Sequence, residues 1–236
     1  MNKILLIRNL ILLKTNYLSY LVVLLATPMV LYLFNVIPYL DETSKIWSSI
    51  GVWIASCAIC SYIYIYQNIT SYSRDNRVFL MNSAVSFQSL IMSNIIVCLL
   101  LVFIQLLISY ILTLILNNVT LSILDFMLLF INILPITIVF MSIAILITLF
   151  DRLNIGLFIC TLIALSIVQF FYLFPSFETI GYDYVPIIGL FLNCASLFND
   201  GSVEFWPMIL MYIISGVFLM ISLAVTVKIM EKRNER

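Results

Sequence analysis

The sequence predicts an all-α, polytopic membrane protein with six transmembrane helices, and three observations carry that expectation. Hydrophobic residues make up 64% of the 236-residue chain and charged residues only 9%. A soluble domain is roughly one quarter charged, so this chain lacks the polar surface that water demands. The few charges also leave long gaps: none lies between Lys45 and Arg74, Arg77 and Asp125, Asp125 and Asp151, Arg152 and Glu178, or Glu204 and Lys228. About 20 apolar residues in a helix cross roughly 30 Å of hydrocarbon. Finally, the apolar runs do not alternate. Leu99-Leu100-Leu101-Val102-Phe103-Ile104 has no period of two, which excludes an outer-membrane barrel. Backbone groups cannot stay unpaired in lipid, so the runs must be helices.

The expected spans are 17–37, 47–69, 89–116, 123–150, 155–174 and 207–229, in one transmembrane domain covering 1–236. Stretches between them are too short for an independent soluble core. Residues 1–16 hold Lys3, Arg8 and Lys14 among apolar residues. The basic residues interrupt the apolar run and no small-residue cleavage site follows, so a signal peptide is not expected. Snorkelling basic side chains suit a helix lying on the inner membrane surface, with a cytoplasmic extension of the first span as the alternative. The connection Asp151-Arg152-Leu153-Asn154 is short enough to make its two flanking helices antiparallel neighbours.

Basic residues set the orientation. With the N-terminus inside, ten of the eleven Lys and Arg residues are cytoplasmic and only Lys45 is outside. Both termini are then cytoplasmic, in a multi-pass protein of the cell (inner or plasma) membrane.

Two segments break the pattern of span and loop. After the second span comes Arg74-Asp75-Asn76-Arg77-Val78-Phe79-Leu80-Met81. Ser73 is a suitable N-cap, and Asp75 in a first turn complements the helix dipole, which predicts a short cytoplasmic helix over 73–83. An apolar knob beside two arginines suits docking in a partner's groove; an interfacial connector is the alternative. Residues 175–206 contain Pro175, Pro186, Gly181, Gly189 and Gly201, yet stay largely apolar. A helix from Val185 to Phe198 is too short to span, so an outer re-entrant element is expected, with Asp183 as its cap and Pro186 in its first turn.

The composition excludes much chemistry. With no His in the chain there is no His-based acid–base pair, HExxH zinc motif or Ser-His dyad. There is no GxxxxGK[ST] phosphate loop and no DDxxD-type carboxylate pair. Cys57 and Cys60 match CxxC inside a span without a second pair, and read as packing residues, as do Cys98, Cys160 and Cys194. The span interiors carry only neutral polar groups: Asn94, Gln105, Asn132, Gln169 and Asn193. Gln105, Gln169 and Asn193 are candidates for lining a translocation path; interhelical hydrogen bonding is the competing role for such groups.

The order of elements resembles the membrane subunit of ABC exporters of the ABC-2 type. Those permeases have an interfacial N-terminal helix, six spans, a coupling helix after the second span and a short re-entrant element before the sixth. Arg74-Asp75-Asn76-Arg77 is similar to the charged start of the family's coupling segment, and Phe79-Leu80 to its apolar pair. The family's Gly-Thr and Pro are absent here. Pro186-Ile187-Ile188-Gly189-Leu190-Phe191-Leu192-Asn193 stands where the family has an outer motif with Pro and Asn.

The resemblance implies coupling to an ATPase through Arg74, Asp75, Arg77, Val78, Phe79, Leu80 and Met81. It implies separate ABC ATPase subunits that hold ATP and Mg, with no cofactor, metal or catalytic residue in this chain. It also implies pairing with a second permease, as homodimer or heterodimer, and alternating access. Membrane lipids are expected contacts and nucleic acid is not. The uncharged interior suits a hydrophobic or amphipathic cargo such as a peptide, antibiotic or lipid. Tyr62, Tyr64, Tyr66 and Tyr110 offer stacking surfaces for glycolipid or polysaccharide export as the alternative. Three other classes remain: an importer's substrate-capture subunit, an immunity or sensor membrane protein, and a lipid-modifying enzyme, which the missing His and carboxylate pairs disfavour.

Single cysteines test the orientation. Thr43→Cys should react with an impermeant thiol reagent from outside, and Asp75→Cys, Arg152→Cys and Asn234→Cys only from inside. Outside labelling of Asp75→Cys would reject it.

Overall fold

The structure, a computed structural model, describes residues 7–11, 14, 42–74, 87–117, 122–150, 156, 159, 162, 186–199 and 203–234. Among them every regular element is a helix. Five are long enough to label: α1 (Glu42–Arg74), α2 (Phe87–Asn117), α3 (Ile123–Phe150), α4 (Pro186–Asn199) and α5 (Phe205–Asn234). Four contain a segment long and apolar enough to cross a membrane: Ile50–Thr70, Gln88–Leu112, Ile123–Leu149 and Phe205–Ile229. They match the expected spans 47–69, 89–116, 123–150 and 207–229. The helices overrun the apolar segments, because a helix need not stop where hydrocarbon does. The 33 residues of α1 reach about 50 Å.

The expected spans 17–37 and 155–174 lie outside the described residues, except that Gly156, Ile159 and Leu162 are helical. Residues 7–11 and 14, within the expected interfacial helix, are also helical. Ser73 and Arg74 complete α1 instead of opening a separate helix. No Gly or Pro interrupts Thr70-Ser71-Tyr72-Ser73, so nothing local stops α1 earlier. The remainder of the 73–83 element lies outside the described residues. Helix α4 has 14 residues and Pro186 in first position, where its missing N–H costs no helical bond. Asp183, its expected cap, is outside the described residues.

Helix α1 is the pillar of the bundle. It packs on α2, α3 and α4, and Tyr62 reaches beyond them to donate to the Gly156 carbonyl at 2.8 Å. Ile50, Trp53, Cys57, Tyr62, Ile65 and Ile69 are completely buried, and so are residues on the opposite faces such as Ile54 and Tyr64. A helix buried all round is shielded from lipid by its neighbours. That shielding explains why α1 carries the least apolar of the four segments and is 83% buried, whereas the segment in α5 is 17% buried. Ser56, Ser61 and Asn68 are therefore tolerated inside. Helix α5 buries one line, Met211, Ser215, Ser222 and Thr226, and exposes Ile213, Val217, Met220 and Ile221.

Aromatic contacts fix how α1, α2 and α3 align. Trp53 meets Tyr110 at 6.2 Å between ring centroids, and Tyr110 meets Phe126 at 5.1 Å. Phe103 packs edge-on against Phe126 at 5.4 Å and Phe130 at 5.2 Å. Further along, the Cys98 thiol donates to the Ser61 carbonyl at 3.6 Å. Trp53 pairs with Tyr110, and Ser61 with Cys98, so α1 and α2 run antiparallel. By the same reasoning α2 and α3 are antiparallel. One end of the bundle is thus the Glu42 end of α1 and the other its Arg74 end.

The start of α3 is closed by reciprocal bonds. Ser122 Oγ accepts the Asp125 N–H at 3.2 Å and donates to Asp125 Oδ2 at 2.8 Å, while the Ser122 N–H donates to the same oxygen at 2.8 Å. The Ser122 carbonyl accepts the Phe126 N–H at 3.3 Å and the Tyr110 hydroxyl at 3.1 Å. This is a capping box with Asp as the reaching carboxylate. Ser122→Ala should cost about 1 kcal/mol, read as a lower unfolding midpoint in detergent. An unchanged midpoint would show that the cap contributes nothing.

Candidate functional site

Most buried hydroxyls in the spans turn back on their own helix. Ser56, Ser61, Thr148 and Ser222 each donate to a carbonyl three residues earlier, and Ser109, Ser142 and Thr226 to one four earlier. Such bonds hide a polar group without linking helices. The polar groups that do link helices stand out against them, and among the described residues several of them meet where α3, α4 and α5 join.

Asn193 is the centre of that node. Its Nδ2 donates to the Glu204 carbonyl at 2.7 Å and to Asn132 Oδ1 at 3.2 Å, and its Oδ1 accepts the Glu204 N–H at 2.9 Å. One side chain of α4 thus pairs both backbone groups of the residue that leads into α5. It also reaches α3, where Asn132 Nδ2 holds the Leu128 carbonyl at 2.9 Å. Asn193 and Asn132 are almost fully buried. Asn193, a candidate path residue, therefore commits its amide to internal bonds in this structure.

One residue away on α3 is a second link. Pro135 sits inside α3, where it has no N–H to give the Ile131 carbonyl. The Tyr212 hydroxyl of α5 donates to that carbonyl instead, at 2.8 Å. In hydrocarbon a proline is tolerated where a neighbouring helix satisfies the freed group. Neither Pro135 nor Tyr212 was singled out from the sequence. The signal was a proline in mid-span, which announces an orphan carbonyl four residues earlier but not its donor.

At the Arg74 end, Asn9 is buried and its Nδ2 donates to Ser93 Oγ of α2 at 2.8 Å. Ile7, Leu10, Ile11 and Lys14 face outward. The N-terminal helical segment thus anchors one polar side chain inward and turns three apolar side chains and a lysine outward.

Of the expected coupling residues, Arg74 ends α1, and Asp75, Arg77, Val78, Phe79, Leu80 and Met81 lie outside the described residues. Gln105 is fully buried in α2 and Gln169 lies outside the described residues. Asn94 gives its Nδ2 to the Leu90 carbonyl at 3.1 Å, and its Oδ1 is a buried acceptor without a hydrogen-bond partner. Cys57, Cys60, Cys98 and Cys194 are free and buried. Among the described residues no three His, Cys, Asp or Glu side chains group to hold a metal. Tyr62, Tyr64, Tyr66 and Tyr110 are all buried, with Tyr62 and Tyr66 stacked at 6.0 Å.

Comparison with protein-family models, with curated proteins and with solved structures finds no match. The geometry therefore stands by itself.

Asn193→Ala removes one partner from the buried Asn132 amide oxygen and from the two backbone groups of Glu204, and leaving a buried group unmet costs about 1–3 kcal/mol. It should lower the unfolding midpoint and increase thiol labelling of a Val203→Cys reporter. An unchanged midpoint and unchanged labelling would show that Asn193 does not fasten the node.

Proposed function

We propose that this chain is the membrane-spanning permease subunit of an ATP-driven ABC exporter. Two permease subunits pair, and separate ATPase subunits carry ATP and Mg. The cargo is hydrophobic or amphipathic, and it leaves the cytoplasm or inner leaflet by alternating access. The supporting observation is α4. It is a 14-residue helix, about 21 Å long, packed against α1, α3 and α5 directly ahead of the final long helix. It is too short to span, and it stands where ABC-2 permeases have their short re-entrant element.

The mechanism follows from how α1 ends. The most buried helix runs unbroken to Arg74, the first residue of the proposed coupling segment. An ATPase that grips residues 74–81 and moves as it dimerises pulls directly on the pillar. The chain itself makes and breaks no covalent bond. It supplies packing, and the energy comes from the phosphate loop that its own sequence lacks. Burial of Tyr62, Tyr64, Tyr66 and Tyr110 favours an amphipathic cargo over a glycan, because their ring faces are covered within the chain.

An aromatic anchor usually dominates a docking contact, so Phe79→Ala should weaken ATPase binding by about 2 kcal/mol or more. Arg77→Ala should cost less and its effect should shrink at high salt. Co-purification with an ABC ATPase encoded beside this chain, and stimulation of that ATPase by hydrophobic peptides, are the readouts. Wild-type assembly by Phe79→Ala would remove the coupling assignment. Transport by the purified chain without any nucleotide-binding subunit would remove the exporter reading.

A further inference from the structure

Helix α5 is fastened to α3 very unevenly along its length. Among the described residues its polar ties are at the beginning. Glu204, just before its first turn, is paired through both backbone groups with Asn193, which also bonds Asn132. Tyr212, in its second turn, donates to Ile131. Asn132 and Ile131 are consecutive residues of α3, and both precede Pro135. Past that point the inward hydroxyls of α5 serve only their own helix: Ser215 donates to the Tyr212 carbonyl, Ser222 to Leu219 and Thr226 to Ser222. Apolar side chains such as Leu219 and Leu223 make the rest of the inward face.

Proline in a helix interior removes a rung and tilts the carbonyl it can no longer satisfy, which is where transmembrane helices bend. Apolar packing in lipid resists sliding weakly, because lipid tails compete as equals for the same surface. Hydrogen bonds are directional and hold a defined geometry. The polar ties therefore lie on one side of the break and the slippery contact on the other.

We propose that α3 is jointed at Pro135 and that Tyr212 is the latch of the joint: residues 123–134 of α3, α4 and the first two turns of α5 form one unit that swivels against the remainder of α3. The Tyr212 hydroxyl replaces the rung that Pro135 deletes. It fixes the bend angle by tying the orphan Ile131 carbonyl to α5. Tyr212 is a positioning residue in this scheme and touches no cargo. The inference needs no ATPase partner and holds or falls independently of the exporter reading.

A double-mutant cycle tests the latch. Tyr212→Phe deletes only the hydroxyl, and Pro135→Ala restores an N–H that reaches the Ile131 carbonyl within α3. Tyr212→Phe should lower the unfolding midpoint in detergent when Pro135 is present, and leave it unchanged in the Pro135→Ala background. An equal loss in both backgrounds would overturn the latch, since the hydroxyl would then act elsewhere. Spin labels at Leu124, an exposed residue, and Leu146, a half-buried one, span the joint. Their distance distribution should broaden in Tyr212→Phe and narrow in Pro135→Ala. Equal widths in all three proteins would show that Pro135 is no joint, whatever the midpoints do.

Discussion

The pairing of backbone groups in a medium without water governs everything else in this structure. Each helix satisfies its own ladder, and most buried Ser and Thr hydroxyls fold back onto it. Helices that need nothing from one another have only shape to hold them together, because lipid offers an equally apolar contact. The few places where a helix does need something are therefore where the fold is specified. Asn193 must pair its amide, Glu204 its two backbone groups and Ile131 its carbonyl. These needs are met across helices, and they converge on one short stretch of α3.

The same solvent explains the order of burial. A helix facing lipid must be apolar, whereas a helix surrounded by others is free to carry polar side chains. Helix α1 follows that second route with Ser56, Ser61 and Asn68 buried in it. Its tyrosines need acceptors, and Tyr62 finds one in Gly156. Helix α5 follows the first route. Its outward Ile213, Val217, Met220 and Ile221 meet whatever surrounds the chain, and its small polar residues point inward. In lipid, then, burial sorts residues more by polarity than by size.

Charge-free runs made the helices legible in the sequence, because a charge in hydrocarbon is costly enough to mark each boundary. The span 123–150 coincides with α3, and 185–198 is displaced by a single residue from α4. Ends not defined by lipid were harder to read. Ser73 has the chemistry of an N-cap, yet the helix already running through it had no reason to stop. The node was half legible. Asn132 and Asn193 were visible as polar residues in apolar segments, but their pairing spans 61 positions and depends on how α4 packs. Tyr212 was invisible, since a tyrosine in a span looks like any interfacial aromatic until the orphan carbonyl beside it is known.

Directional contacts near the Glu42 end of this bundle surround the proline break in α3. Near the Glu42 end stand the aromatic contacts of Trp53, Tyr110 and Phe126, the capped start of α3 and the Asn193 node. Toward the Arg74 end, Asn9 is tied to Ser93, Cys98 to Ser61 and Tyr62 to Gly156. In the exporter proposed here, force enters at Arg74. A rigid, fully surrounded α1 is suited to carrying it, because a rod buried on all sides cannot bend without displacing its neighbours. The displacement then meets the polar node at the far end. A node built of a few directional bonds has discrete arrangements, whereas an apolar contact deforms gradually. Placing those bonds beside a proline break turns a graded push into a change between defined states, which is what alternating access requires of the end remote from its motor.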